Sequence, residues 1–577
     1  MHALVNSIKR KEKIVYRNKT PDQHAAFLNS AAVLVFDLPQ TDIQAAFNHF
    51  YSVTLSLLNQ FYPEKTITVS SRDPDYITPA IKAKLRRKNK LMRAGRVEEA
   101  SALAKLIGKD IVKKNSRKLN RIQGAADSKE LWSAVRHITG RTRQAHNISG
   151  IDADILNSYY ANVSTDPNYI SPCMKPTAVS VGQDYMSEWS IFKALDTLRP
   201  TATGLDSIPA WFLRLGAAVF CKPLAYLFNQ SIASSSVPHQ WKQAVITPIA
   251  KIPSPKNCSD FRPISVTPVL TRVMERLVVR QFLYPALLAP PCNLTFSDQY
   301  AFRPTGSTTA ALVQLFHTVT ELLNDHPYVV VIALDFSKAF DTVRHATLLQ
   351  KLATLDIPDC VYNWLVEYFS GHSHCTAFHG QISSLLNISS SIVQGSAIGP
   401  VSYVVNAGDL TPITPGNRFC KYADDTCLII PASNINSRTD EIDSICTWAS
   451  TNNLNLNLKK SVEIVFIDST RRRQVQLPNP LEGIPRVSSI KILGVTVSSH
   501  LSVSEHVSSV IGRCAQTIHA LRILRSQGLC DEAIHHVYKS VIIGKLLYAV
   551  SAWWGFASAA DRQRLQALLQ RGIRSGL

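Results

Sequence analysis

The sequence predicts a mixed α/β (α+β) body, preceded by a basic, mainly helical region and followed by a small all-helical unit. Three observations predict this. From residue 186 to about 497, apolar runs of helical and of strand length alternate. Residues 81–121 carry fifteen Lys and Arg against Glu98, Glu99 and Asp110, with few helix breakers. Residues 507–524, 532–548 and 559–573 each read as an amphipathic helix.

A chain of 577 residues exceeds one compact core and predicts three or four units. Hydrophobic residues make up 45% and charged residues 18%, which is folded-protein composition and excludes a mostly disordered chain. Lys and Arg number 62 against 42 Asp and Glu, a net charge of +20 whose field attracts polyanions, nucleic acid first among them. The eleven cysteines form no CxxC pair, so no zinc-site spacing arises and reduced thiols are expected. No apolar stretch reaches the roughly eighteen residues of a membrane span. The expectation is a soluble intracellular protein with no membrane partner. The sequence chooses neither between nucleus and cytoplasm nor among oligomeric states.

In chain order, residues 1–175 form the basic N-terminal region. Its charge-dense helices read either as a solvated face or as a stripe for nucleic-acid backbone, because like charges this close repel unless an anion neutralises them. Residues 164–183, with four Pro or Gly, look like a linker, and a boundary is set near 175. Residues 328–334, rich in β-branched side chains, have the pattern of a buried strand ending on Asp335. A carboxylate where a buried strand emerges suits a metal ligand, and equally an Asp that caps the next helix. Around Ala423-Asp424-Asp425, two strand-like arms place adjacent acids at a hairpin tip. Turn chemistry explains one Asp there and two poorly, unless a cation offsets their repulsion. If the two segments are neighbours, three carboxylates offer hard oxygen ligands for two Mg²⁺, the machinery of phosphoryl transfer.

Three further motifs stand in one order: Leu334-Asp335-Phe336-Ser337-Lys338-Ala339-Phe340-Asp341, Gln394-Gly395-Ser396-Ala397-Ile398-Gly399-Pro400 and Tyr422-Ala423-Asp424-Asp425. Together with Asp260-Phe-Arg-Pro-Ile-Ser265, Phe302-Arg-Pro304 and Leu456-Asn-Leu-Lys-Lys-Ser461, they make residues 185–577 resemble the reverse transcriptases of non-LTR (LINE-type) retrotransposons. The resemblance implies a right-hand polymerase fold, with fingers over 176–325, palm over 326–497 and thumb over 498–577. It implies an RNA-directed DNA polymerase whose partners are an RNA template, a DNA primer or target and dNTPs. Two Mg²⁺, for which Mn²⁺ can substitute, would be held by Asp335, Asp424, Asp425 and the carbonyl of Phe336.

The resemblance also implies a role for each remaining site residue. Phe340 would lie beneath the incoming sugar and exclude a 2′-hydroxyl, though it reads equally as a core aromatic. Gln394, Gly395 and Tyr422 would line the nucleotide pocket, with Gly395 letting backbone approach the templating base. Lys251 and Arg262 would meet the triphosphate, or are surface cations. Lys460 would donate a proton to pyrophosphate, a role that Lys459 can claim from sequence alone. Leu493 and Gly494 would grip the primer end, or form a bulged strand.

The pattern also departs from full-length elements of this type. No endonuclease precedes the body, no Cys/His knuckle follows it, and no ribonuclease H constellation is evident. The last residues, Arg571-Gly-Ile-Arg-Ser-Gly-Leu577, fall within the thumb-like helices, so the chain reads as a fragment or a shortened copy. A maturase, telomerase or RNA polymerase relative is disfavoured by Phe340 and by the finger and palm motifs that resemble the non-LTR branch, and an RNA-dependent RNA polymerase also by an Ala-Asp-Asp rather than Gly-Asp-Asp tip. The alternative of another class is a catalytically inactive, truncated or domesticated element protein that binds RNA or DNA.

Overall fold

The computed structural model describes residues 11–39, 42–70, 79–122, 150–177, 185–468, 476–526 and 528–577. Strands Lys11–Arg17 (β1) and Glu64–Ser70 (β2) precede the main body. The chain divides into two compact units, one of residues 17–65 and 146–493, the other of 1–16, 66–145 and 494–577. Among the described residues, no helix is long and apolar enough to cross a membrane.

The larger unit holds two sheets. The first contains Tyr328–Leu334 (β5), Arg418–Tyr422 (β9), Asp425–Pro431 (β10) and Val462–Ile467 (β11), in the order β11-β5-β10-β9. β5 pairs antiparallel with β10 and with β11, and residues 329–332 are fully buried. Burial on both faces is why this strand reads as a continuous apolar run rather than an alternating one. Helix Thr308–Asp325 packs on β5 and β9, its start capped by the Ser307 hydroxyl. The second sheet joins Gln243–Ala250 (β3) to Phe261–Val266 (β4) antiparallel and to Ser373–Phe378 (β6) in parallel. Helix Ala153–Val163 lies on β6, and its Asn157 reaches into the sheet.

Helices Pro21–Ala32 and Ile43–Phe61 belong to the same unit, although they lie far from it in sequence. Aromatic packing joins them to it. Phe27 meets Phe212 with ring centroids 4.8 Å apart, Phe47 meets Trp241 at 4.9 Å, and Trp241 Nε1 donates to the Tyr51 hydroxyl at 3.0 Å. Residues 164–177 are irregular, but they are fastened to this body. Asp166 accepts two hydrogen bonds from the Arg344 guanidinium, at 2.7 and 3.1 Å, and the Lys175 amide donates to Asn363 Oδ1 at 2.8 Å. The rest of the expected linker, 178–183, lies outside the described residues, as do residues 1–10 and 123–149 of the basic N-terminal region.

In the other unit, helices Pro79–Arg93 and Val97–Ile122 pack on each other, with Lys84 Nζ and Asp110 Oδ2 paired at 2.6 Å. Gly95, at φ 73°, makes the break between them. The C-terminal helices Ser504–Ser526 and Ala559–Arg574 pack together around Cys514, Ile518, Leu521 and Leu568. Where one helix is expected over 532–548, the path runs through Asp531–Val537, a wider π turn at Tyr538–Ile543 and Gly544–Leu547. A Cβ on Gly572 would lie 2.4 Å from the Tyr538 hydroxyl, so the missing side chain makes room for the wider turn.

Phe220 is fully buried in the aromatic cluster of the larger unit. Phe220→Ala is expected to cost about 3–5 kcal/mol, from lost transfer energy and the cavity left behind. The check is the denaturant midpoint of unfolding followed by tryptophan fluorescence, and an unchanged midpoint would contradict this account of the core.

Candidate active site

The register between β5 and β10 brings the acidic residues together. Thr426 faces Leu334 across the ladder, so Asp335, one residue past Leu334, and Asp425, one residue before Thr426, emerge at the same end of neighbouring strands. Asp425 pairs with Tyr422 to close the β9–β10 hairpin, which leaves Ala423-Asp424 as a two-residue loop. Ala423 takes the left-handed φ of 56°, a strain that a short hairpin loop imposes on a residue other than glycine. Its amide donates to Gln299 Oε1 at 2.9 Å, which holds the tip. Asp335 is fixed through its backbone: its N–H donates to Ser461 Oγ at 3.1 Å and its carbonyl accepts from the Asn457 amide at 2.8 Å.

Electrostatics at this corner favour a cation. Desolvation, then the charge of Asp425 and then that of Asp335, push the Asp424 carboxyl up to about 6. Asp425 reaches solvent at its edge, yet the surrounding protein still desolvates it, and with the charge of Asp335 this raises its pKa. Among the described residues, no three His, Cys, Asp or Glu side chains form a ready-made metal cage. The donor set nevertheless fits divalent cations: it consists of hard carboxylate oxygens on rigid strand ends, whose mutual repulsion such a cation offsets.

One solvent-open cleft of about 840 Å³ gathers most of the residues singled out from sequence: Lys251, Arg262, Asp335, Phe336, Phe340, Gln394, Gly395, Asp424 and Lys460 all line it. Lys460 lines it and Lys459 does not. Asp425, Tyr422 and Leu493 instead line a smaller hollow beside Ala311 and Leu315. Leu493, at φ 44°, ends the larger unit, and Gly494, at φ 89°, opens the other.

Within the cleft, Phe340 stacks on Tyr403, with centroids 4.6 Å apart at 20°, and meets the Phe302 edge at 6.4 Å. Half-buried, it serves both as core aromatic and as cleft floor. Gln394 Nε2 donates to Asp341 Oδ1 at 2.8 Å, and the Gln394 carbonyl accepts from the Ser265 amide at 2.9 Å. Gly395 has φ 125°, and a Cβ there would lie 2.3 Å from the Ser265 carbonyl oxygen. The close approach that requires glycine is therefore to β4, within the protein itself. Desolvation, then the charge of Arg262, hold the Lys251 amine below its usual range, and Lys338 and Lys460 add to the effect. A cationic group thus shares the cleft with the acidic corner.

Other residues carry the arrangement without having been singled out. Asp341, pushed up to about 6 by burial, accepts from Gln394. Ser461 and Gln299 hold the acidic corner from outside it. Glu275 lies fully buried in helix Val269–Val278, and its Oε2 accepts from the amides of Ala397 and Ile398 at the start of helix Ile398–Asn406. Burial pushes its carboxyl up to about 7. A signal for it existed: Glu275 falls on the helical stripe of Thr271, Met274 and Val278, where a charge is out of place.

Comparison with known proteins gives the following likenesses. Residues 252–497 match the family described as reverse transcriptase (RNA-dependent DNA polymerase). The chain is 27% identical over 393 residues to the RNA-directed DNA polymerase from mobile element jockey of Drosophila melanogaster, covering 65% of this chain and 42% of that protein. It is 25% identical over 364 residues to the probable RNA-directed DNA polymerase from transposon X-element of the same organism, covering 61% and 39%. It therefore spans less than half the length of these relatives. Apo telomerase from Candida tropicalis aligns over 96% of this chain and 87% of its own at 12% identity, with a TM-score of 0.36, a likeness too slight to carry argument.

Three substitutions test the loop that precedes helix Ile398–Asn406 and packs against β4. Gly395→Ala is expected to lower the thermal midpoint by the equivalent of about 1–3 kcal/mol, because both its φ and its contact with Ser265 oppose a Cβ. Glu275→Ala is expected to cost a similar amount, since two buried amides lose their acceptor, while Glu275→Gln, which keeps an amide oxygen there, retains most of it. Equal losses for Ala and Gln would show that the acceptor is not what matters.

Proposed function

We propose that residues 252–497, which match the reverse transcriptase family, form a reverse transcriptase domain of the non-LTR retrotransposon kind, and that this chain copies RNA into DNA, adding dNTPs to a primer 3′-hydroxyl. The observation that carries the reading is the convergence of Asp335, Asp424 and Asp425 at one end of β5 and β10, beside a cleft lined by Lys251, Arg262, Lys338 and Lys460. Acid on one side and cations on the other suit a metal-bound triphosphate.

In this reading Asp335, Asp424, Asp425 and the Phe336 carbonyl hold two Mg²⁺, with Mn²⁺ able to substitute. When bound, the ions stabilise charge on the attacking and departing oxygens of an in-line displacement. Arg262 and Lys251 orient the triphosphate by charge and hydrogen bonding. Phe340, backed by Tyr403, sits under the sugar and leaves no room for a 2′-hydroxyl. Lys460 delivers a proton to the pyrophosphate oxygen as it leaves. Gln394, Gly395 and Tyr422 shape the nucleotide pocket from around it, and Leu493 and Gly494 hold the primer end. The right-hand layout follows the same premise, with fingers over 176–325, palm over 326–497 and thumb over 498–577, the basic helices before them lying along nucleic-acid backbone. The partners are an RNA template, a DNA primer or target and dNTPs.

Primer extension on poly(rA)/oligo(dT) with dTTP and Mg²⁺ is the direct test. Wild type is expected to extend, EDTA to abolish extension, and Asp424→Asn to lower the rate on the order of 10³-fold, the equivalent of several kcal/mol of lost charge stabilisation. Salt-sensitive RNA binding with no extension under any divalent ion would leave a nucleic-acid-binding protein and overturn the reading. Phe340→Ala is expected to raise NTP use relative to dNTP use at least tenfold in single-nucleotide incorporation. An unchanged ratio would return Phe340 to the core.

A further inference from the structure

A second, narrower chamber, with about 50 Å³ of space open to a water-sized sphere, adjoins the nucleotide cleft, between helix Ala153–Val163, the β3-β4-β6 sheet and residues 391–394. Tyr159, Tyr160, Ile246, Phe261 and Val393 wall it. Lys251, Lys338, Asp341 and Gln394 line both spaces, so they stand where one opens onto the other. Lys338 Nζ lies 4.5 Å from the centre of the Tyr159 ring.

Two buried polar atoms in this lining have no hydrogen-bond partner: the Tyr160 hydroxyl and His374 Nε2, on residues only 4% and 5% exposed. Such atoms are rare enough in folded proteins to need an explanation. Asn157 determines what His374 offers. The Asn157 Nδ2 donates to the Ser384 carbonyl at 2.9 Å, which fixes the amide orientation. Its Oδ1 then accepts from Thr376 Oγ1 at 3.0 Å and faces His374 Nδ1 at 2.8 Å. An oxygen facing Nδ1 requires the proton on Nδ1. Burial keeps the ring neutral by pushing its pKa down to about 4, so Nε2 is left as a bare acceptor. A fitting ligand therefore brings an N–H or O–H to His374, fills space between aromatic and aliphatic walls, and carries negative charge toward Lys251 and Lys338. A nucleobase with its attached phosphate has all three properties.

We propose that this chamber is a second nucleotide subsite that takes an unpaired base, with His374 Nε2 accepting from a base N–H and the phosphate meeting Lys251 and Lys338. On the reverse transcriptase reading, on which this identification of the strand rests, the base is the first unpaired template base beyond the templating position. A free nucleotide has the same chemistry, and the test separates the two sources.

The first arm uses a chain-terminated primer on a template with 2-aminopurine at that first unpaired position. Wild type is expected to quench its fluorescence severalfold by stacking it among Tyr160 and Phe261, and His374→Leu to restore it. Tyr160→Phe removes only an unpartnered hydroxyl, so it is expected to fold normally and to weaken the quench. The second arm is calorimetric titration of AMP into protein free of nucleic acid. Heat that is lost at least tenfold in affinity with His374→Leu, without any 2-aminopurine response, identifies a free nucleotide as occupant. If wild type gives neither a 2-aminopurine response nor His374-dependent AMP binding, the subsite is overturned. Both arms read binding alone, so a chain that fails to extend primers still reports on the chamber, and one that extends them with neither signal disproves the subsite while leaving the polymerase reading intact.

Discussion

Three carboxylates at the ends of neighbouring strands repel one another, and the rest of the larger unit works against that repulsion. Raising Asp424 from the ordinary carboxylate range to about 6 corresponds to roughly 3 kcal/mol against its charged form, part of it desolvation and part of it its acidic neighbours. A flexible loop would relax by turning the side chains apart. Here β5 is paired on both edges, the hairpin tip is tied to Gln299, and the Asp335 backbone is tied to Ser461 and Asn457. Rigid backbone keeps the charges in place, and a divalent cation is the kind of partner that would offset them.

The same logic accounts for the cleft wall across from the acids. Gln394 is held at both ends, by Asp341 through its side chain and by Ser265 through its carbonyl, and Gly395 fits against β4 only because it lacks a Cβ. Beneath it, Glu275 supplies a carboxyl oxygen to the start of helix Ile398–Asn406, where the amides of Ala397 and Ile398 need an acceptor. The cleft-lining loop is thus shaped from two directions, by Asp341 and β4 on one side and by the buried Glu275 on the other.

Much of this was legible in the sequence. A β-branched run ending on Asp335 and a double Asp between two strand-like arms were enough to anticipate β5, β9 and β10, because buried strands and short hairpins have strong local signatures. The residues that line the cleft were named only by what the resemblance implies, and their gathering in one cleft is a tertiary fact. Strand adjacency was not legible: the partners of β5 begin about a hundred residues later, and register is a tertiary fact. Nor was the place of helices Pro21–Ala32 and Ile43–Phe61, whose Phe27 and Phe47 meet Phe212 and Trp241 across more than 180 residues. Gln299 and Ser461 act by side-chain oxygens that accept from distant backbone amides, a tertiary role that the sequence does not display, even though Ser461 stands at the end of the Leu456–Ser461 motif. The π turn at Tyr538–Ile543 escaped notice because its apolar spacing over a few residues still reads as helical.

The Glu275 cap also bears on how such a domain can be altered by exchange of segments. Because the loop 394–397 is positioned by a carboxylate more than a hundred residues upstream, the two stretches form one inheritable module despite their separation in the gene. A recombination breakpoint between them that brings in a helix without this acceptor would leave the amides of Ala397 and Ile398 uncapped. Lineages that exchange segments of such a domain would therefore keep Val269–Val278 and Ile398–Asn406 from the same parent.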